Sequence, residues 1–365
     1  MGQERGPRPK CSRNRGYIRR LDAAPDLVAR ALARFPALVA PRARPLPGGL
    51  INDTYAVDDP TGAFILQRVN PIFDPVIHHN IVAVCERLRA RGMTAPRLVA
   101  SDEGRAWVDL GAGGVWRVMT RIDGRSSPAP RSPAQAARAG ALVARFHTAL
   151  VDLEHEFVGV RRGVHDTARH LATLERALQT RADHPAYGDA SALADQIQEA
   201  FARELPPLPE TPKRVAHGDL KFSNVIFRDD EAVCLIDLDT LARMPLHHEL
   251  GDAWRSWCNP GGEDQATARF DEAIFAASLV GYQGALGFPL TPEERHALVY
   301  GVEWIALELS ARFCADALEE SYFRWDRSRF ARAAEHNLLR ARGQLALYRS
   351  ARASRSIRER LLQDA

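Results

Sequence analysis

The chain has 365 residues, 45% hydrophobic and 26% charged, and a formal net charge of only +3. This is ordinary globular composition, which excludes a wholly disordered or collagen-like chain and gives no reason to expect nucleic acid as a partner. No run of about 18 apolar residues occurs, so no spanning helix and no membrane partner are expected. The five cysteines, Cys11, Cys85, Cys234, Cys258 and Cys314, are scattered without CxxC spacing, so neither a zinc knuckle nor a disulfide framework is expected. A cytoplasmic setting follows.

Residues 1–20, MGQERGPRPKCSRNRGYIRR, read as a basic, solvated tail, and no apolar segment follows them to make a signal peptide. The stretch 23–40 reads as a short amphipathic helix, and PRARPLPGG at 41–49 as a breaker-rich loop. TYAV (54–57) and FILQRV (64–69) read as strands joined through the turn residues DDPTG. Residues 75–92 carry Ile77, Ile81, Val84, Cys85 and Leu88 on one helical face, with Gly92 as the stop. RLVA (97–100), AWVDL (106–110) and VWRVMTRI (115–122) complete a small antiparallel sheet.

Beyond IDGRSSPAPRSP (122–133) the pattern turns helical, at 134–150, 165–180 and 191–205. RVAHGDLKFSNVIF and AVCLIDLDTL then place short strands around a polar loop, and helices run from about 247 to the end. The class is α+β and bilobal. A tail at 1–20 precedes an N-lobe at 21–122 with a nucleotide-binding sheet and one helix. A connector lies near 119–126, the larger helical C-lobe spans 123–345, and a helical tail covers 346–365.

The polar loop carries the chemistry. Asp219 is suited to accept or orient a hydroxyl proton, Asn224 to offer a carbonyl oxygen to a hard cation, and His217 to pin the loop. Asp237 ends the apolar run AVCLI and offers a carboxylate to the same cation. Mg²⁺ takes a few hard oxygens and keeps water and phosphate oxygens, and phosphoryl transfer needs mainly positioning and charge compensation.

HGDLKFSNVIF together with LIDLDT resembles the aminoglycoside phosphotransferase-like kinases, relatives of the protein kinases. Within them the chain is most similar to the N-acetylhexosamine 1-kinase branch, through GGLINDTYAV, FILQRVN, WRVMTRIDG, HDTARHL, ELGDAWR and RFCADALEESYF. The resemblance implies a protein-kinase-like fold, ATP, Mg²⁺ and a small-molecule hydroxyl acceptor, with Asp219 as base and Asn224 and Asp237 as metal ligands. In that branch the acceptor is a sugar and the hydroxyl is anomeric. An aminoglycoside, choline or homoserine kinase is the alternative, and a nucleotide-binding pseudokinase is the reading from another class.

The phosphates should lie under GGLIND, near Gly49, Asn52, Asp53 and Thr54, where glycine lets the backbone approach. FILQRV lacks the lysine that the family usually carries there and offers Arg68 or Gln67 instead. Arg68 is slightly favoured for its charge, with Glu86 as partner; Gln67 would look to Asn80. The resemblance also implies that the backbone of Met119, Thr120 and Ile122 meets the adenine edge. Acceptor candidates are His165, Asp166, Arg169, Asp252, Arg255, Trp304 and Arg312, although Asp166 also suits a helix cap and Arg312 an i,i+4 pair with Asp316. Glu303 lies in an otherwise apolar run and needs a partner or a function.

Overall fold

The computed structural model describes residues 25–46, 51–161 and 163–363. The basic tail and Gly49 lie outside the described residues. The class is α+β, in two compact units.

The first unit comprises the described residues to Pro71 together with Val99–Val118. Its sheet has the order β1 (Arg42–Pro45), β2 (Asp53–Asp59), β3 (Gly62–Val69), β5 (Val115–Thr120), β4 (Val108–Asp109). In β3, Phe64 and Leu66 point to one face, where they meet Tyr55, Val57, Val108, Trp116 and Val118. Helix α1 (Pro25–Leu32) closes this core with Val28, Ala31 and Leu32. Truncating the fully buried Trp116 to alanine costs about 3–5 kcal/mol on this account.

Three expectations change here. The first helix stops at Leu32 rather than reaching residue 40, because Phe35 precedes Pro36 and turns follow. Residues 42–45 form an edge strand on β2 rather than a loop, a place where Pro45 is tolerated. RLVA makes only the single bridge Leu98↔Met119.

The second unit holds Ile72–Leu98 and the chain from Met119 onward. Its helices are α2 (Ile77–Ala90), α3 (Pro133–Leu150), α4 (Thr167–Thr180), α5 (Tyr187–Arg203), α6 (Leu246–Trp257), α7 (Glu272–Ala285), α8 (Pro292–Glu319), α9 (Ala333–Ala353) and α10 (Arg355–Gln363). Two antiparallel strand pairs lie among them: β6 (Lys213–Ala216) with β9 (Ala242–Pro245), and the hairpin of β7 (Val225–Arg228) with β8 (Glu231–Leu235). Strand β9 was not anticipated from sequence. Asp229 and Asp230 both take positive φ in the two-residue turn between β7 and β8, the conformation that a tight hairpin requires.

Helix α8 organises this unit. Thr291 and Glu294 form a reciprocal cap at its start. The same Glu294 accepts two hydrogen bonds from Arg214 of β6, at 2.6 and 3.0 Å. Helix α6 crosses α8 at Gly251 and Gly301, where a Cβ on Gly251 would lie 2.6 Å from the Gly301 backbone. Glu303, fully buried, pairs with Arg355 at 2.5 Å and with Arg358, so it fastens α10. Among the described residues no helix is long and apolar enough to cross a membrane.

Candidate active site

Strand β6 ends at Ala216 and delivers the chain into His217, Gly218 and Asp219. Gly218 has φ +81°, and a Cβ there would sit 2.4 Å from the Thr240 carbonyl oxygen, so only glycine fits. His217 is fully buried and fixes the loop on several sides. Its backbone N–H donates to Glu249 Oε1 at 2.7 Å, and its carbonyl accepts from Thr240 Oγ1 at 2.8 Å. Its Nδ1 accepts from the Asp219 N–H at 3.3 Å, which leaves the proton on Nε2 to donate to the Ile236 carbonyl at 2.9 Å. Trp257 Nε1 holds the Leu220 carbonyl at 2.6 Å. The loop is thus anchored from α6, β8 and its own turn.

Asn224 closes it. Its Nδ2 donates to the Asp219 carbonyl at 2.9 Å, which turns Oδ1 the other way. Its own carbonyl accepts from the Ile236 N–H at 2.9 Å, and the β7–β8 register sets Val225 opposite Leu235. Position 237 therefore follows directly on the residue that pairs with Asn224 across the hairpin. Asp237 takes the left-handed conformation, φ 65° and ψ 57°, which aspartate tolerates better than most residues. An amide oxygen beside a carboxylate is the donor set that suits Mg²⁺ with water and phosphate oxygens completing its shell. Among the described residues no three His, Cys, Asp or Glu side chains gather around a metal position.

Lys221 was missed by sequence reasoning, although it stands two residues from Asp219. Its ammonium lies 3.0 Å from each Asp219 carboxylate oxygen. Burial pulls the ammonium down, but Asp219, with help from Asp252 and Glu263, holds it above the usual lysine value. Glu249 and Glu308 were also missed. Glu308 sits in the apolar run VEWIALEL, where an acid was the available signal, whereas Glu249 lies among the polar neighbours HHELGD.

A row of paired charges extends from here. Arg255 is 3% exposed and binds Asp252 at 2.8 Å and Glu263 at 2.7 Å. Burial raises Asp252, yet Arg255, His165 and Lys221 together hold it below the normal carboxylate value. His165 Nδ1 meets Glu308 Oε1 at 3.1 Å, and Thr167 Oγ1 donates to the other oxygen at 2.7 Å. His247 and His248 pack beside them. Burial, with repulsion from neighbouring imidazoles, pushes them down to about 4 and about 3.

One turn beyond Glu308 on α8, the Arg312 guanidinium lies over Tyr322 and Phe323, at 5.9 and 5.7 Å from the ring centroids. Arg161 donates to the Tyr322 hydroxyl at 3.0 Å. The expected Arg312–Asp316 pair does not form. Asp316 instead accepts from the backbone N–H groups of Ser321, Tyr322 and Phe323 and from Asn337 Nδ2.

Other candidates lie elsewhere. Asp166 caps α4 by accepting from the Arg169 N–H at 3.0 Å, and the Arg169 side chain folds over Gly163. Trp304 packs on Phe201 of α5. Thr120 is tied to Arg97 through both its N–H and its hydroxyl, each at 2.9 Å; Met119 and Ile122 are half-buried.

In the first unit, Asn52 Oδ1 accepts from the Asn70 N–H at 2.9 Å, and Thr54 lies opposite Gln67 and Asp53 opposite Arg68 in the β2–β3 register. Arg68 shares the parity of Phe64 and Leu66, and its guanidinium rests at Gly114. Gln67 faces the other side and binds Arg117. Glu86 is exposed, and Asn80 binds the Val158 backbone and His155.

A carboxylate on a tightly held loop, with an amide and a second carboxylate on the adjoining hairpin and a row of polar groups leading away, is an arrangement that phosphoryl transfer to a small molecule could use. The model of the phosphotransferase enzyme family (APH) matches residues 42–288, and the chain belongs to that family. A homoserine kinase of Methylocella silvestris is 27% identical over 242 residues, covering 63% of this chain and 70% of the relative. Among solved structures, a microcompartment-associated aminopropanol kinase superposes with a TM-score of 0.62 at 18% identity, covering 92% of this chain and 98% of that one. Amicoumacin kinase hAmiN, in complex with AMP-PNP, Ca²⁺ and Ami, superposes with a TM-score of 0.60 at 15% identity, covering 88% and 93%. The fold is protein-kinase-like, and the protein is a small-molecule kinase.

Proposed function

We propose that this kinase transfers the γ-phosphoryl group of ATP to the anomeric hydroxyl of an N-acetylhexosamine or a closely similar neutral sugar. The Asp219 carboxylate takes the hydroxyl proton as the sugar oxygen bonds to phosphorus and the bond to the ADP oxygen breaks. Asn224 and Asp237 hold Mg²⁺, whose charge offsets that of the phosphates. The loop's anchors keep Asp219 in line, and Lys221 orients its carboxylate.

The observation that carries the sugar assignment is the pairing of every acid in the row. Asp219 has Lys221, Asp252 and Glu263 share Arg255, and Glu308 has His165 and Thr167. A polycationic aminoglycoside needs carboxylates to spare, whereas a neutral polyol needs donors and acceptors held in place. Arg312 with Tyr322 and Phe323 adds an aromatic face with hydrogen-bonding groups, the usual way to seat a sugar ring.

Homoserine is the second reading, favoured by the curated relatives. Arg161 and Arg312 suit its carboxylate, but its ammonium would have to break one of the existing pairs. A coupled ADP-release assay across N-acetylhexosamines, homoserine, choline and aminoglycosides separates the two. Phosphate at the anomeric carbon, seen by ³¹P NMR, is the expected product; turnover of homoserine with none of the sugars overturns the assignment.

A further inference from the structure

The strand that usually supplies a phosphate-binding lysine has glutamine here, and the structure gives a reason. Arg117, on the neighbouring strand β5, is 1% exposed and donates to Gln67 Oε1 from both Nε, at 2.9 Å, and Nη2, at 2.7 Å. Arginine has no acceptor, so the atom facing it must be the amide oxygen, and the NH₂ of Gln67 must point away. One of those two N–H groups reaches Thr54 Oγ1 at 3.2 Å. Thr54 Oγ1 in turn approaches the Asn52 carbonyl at 3.4 Å, and Asn70 donates from its N–H to Asn52 Oδ1 and from Nδ2 to the Ile51 carbonyl. A continuous hydrogen-bonded line thus runs from a buried guanidinium to the end of the glycine-bearing segment 48–53.

Lysine at 67 could not accept the two hydrogen bonds that Arg117 donates, because an ammonium has no acceptor. Glutamine is compatible because its oxygen meets the cation while its nitrogen carries the polarised N–H outward.

We propose that Gln67 contacts the α- or β-phosphate through its second amide N–H and that Arg117 is its positioning residue. The pair inverts the usual arrangement, in which lysine touches phosphate and a carboxylate holds the lysine. The charge sits one strand over and acts through the amide. This rests on ATP being the donor.

Calorimetric binding of Mg–ADP and Mg–ATP to the full chain tests it, alongside turnover with the accepted substrate. Gln67→Leu is expected to weaken nucleotide binding and raise KM for ATP at least tenfold, leaving KM for the acceptor within twofold. Arg117→Met should act in the same direction. The exchange Gln67→Lys with Arg117→Glu rebuilds a lysine–carboxylate pair and should recover affinity to within fivefold of wild type. A folded Gln67→Leu protein with wild-type nucleotide affinity overturns the proposal. So does a folded Arg117→Met protein with wild-type nucleotide affinity, because the amide would then act without the guanidinium. Wild-type protein that binds no adenine nucleotide defeats the donor assignment itself, a distinct result.

Discussion

Glu249 offers a direct measure of how much the catalytic loop depends on its support. Its side chain is fully buried, and Oε1 accepts from the His217 N–H at 2.7 Å and the Gly218 N–H at 3.4 Å. Alanine here removes one good hydrogen bond to a carboxylate, worth about 1.5–3 kcal/mol, and leaves a buried N–H unpaired. The missing methylene and carboxyl volume adds about 1 kcal/mol. The second bond, at 3.4 Å, is long and contributes little. The sum is a loss of about 2.5–4 kcal/mol, read as a lower urea midpoint at unchanged slope. The rate should fall further than the fold. Asp219 is two residues from His217, and a shift of about 1 Å in a reacting group costs about 100-fold. Glu249→Gln keeps an oxygen for His217 and should stay within about tenfold in kcat. A Glu249→Ala protein that keeps its urea midpoint and stays within threefold in kcat would refute the view that α6 holds the loop in register.

Asp219→Asn should lower kcat about 10²–10⁴-fold while calorimetric nucleotide binding persists; an unchanged rate removes Asp219 as base. Asp237→Asn or Asn224→Ala should raise the Mg²⁺ concentration needed for half-maximal rate at least tenfold, with KM for the acceptor little altered. His247 and His248, held near 4 and 3 by burial, stay neutral while the unfolded chain takes up protons near 6.5. Their contribution is therefore complete above pH 6.5 and is lost as pH falls from 6.5 towards 4, and His247→Asn should flatten the fall in urea midpoint across that window.

The candidate catalytic loop could be located in the sequence because its residues are local. HGD, Asn224 and Asp237 lie within 21 residues, and two short strands joined by a tight turn bring the last two together. The sheet was legible for a similar reason: alternating burial marks the start of β3, and β2 is a short apolar run, Tyr55–Val57, bounded by turn residues. What escaped was set by distant pairing. Strand β1 exists only because β2 offers it an edge, and β9 only because β6 does. The partner of Gln67 came from position 117, fifty residues away, and no spacing rule reaches so far.

The Arg312–Asp316 expectation shows how a sound local rule loses to a buried demand. On an isolated helix an i,i+4 pair is worth a few tenths of a kcal/mol. At the end of α8, however, Glu320 takes the left-handed conformation and turns the chain back, pointing three successive backbone N–H groups at Asp316. Leaving even one of those donors unpaired in a buried position costs about 1–3 kcal/mol, more than the ion pair returns. Asp316 is 4% exposed, and burial holds its carboxyl above the usual value even against those donors. The turn therefore captures the carboxylate, and Arg312 is directed to the rings that the same turn presents, Tyr322 and Phe323. The backbone reversal that removed the expected salt bridge thus assembles the arginine–aromatic face assigned to the acceptor.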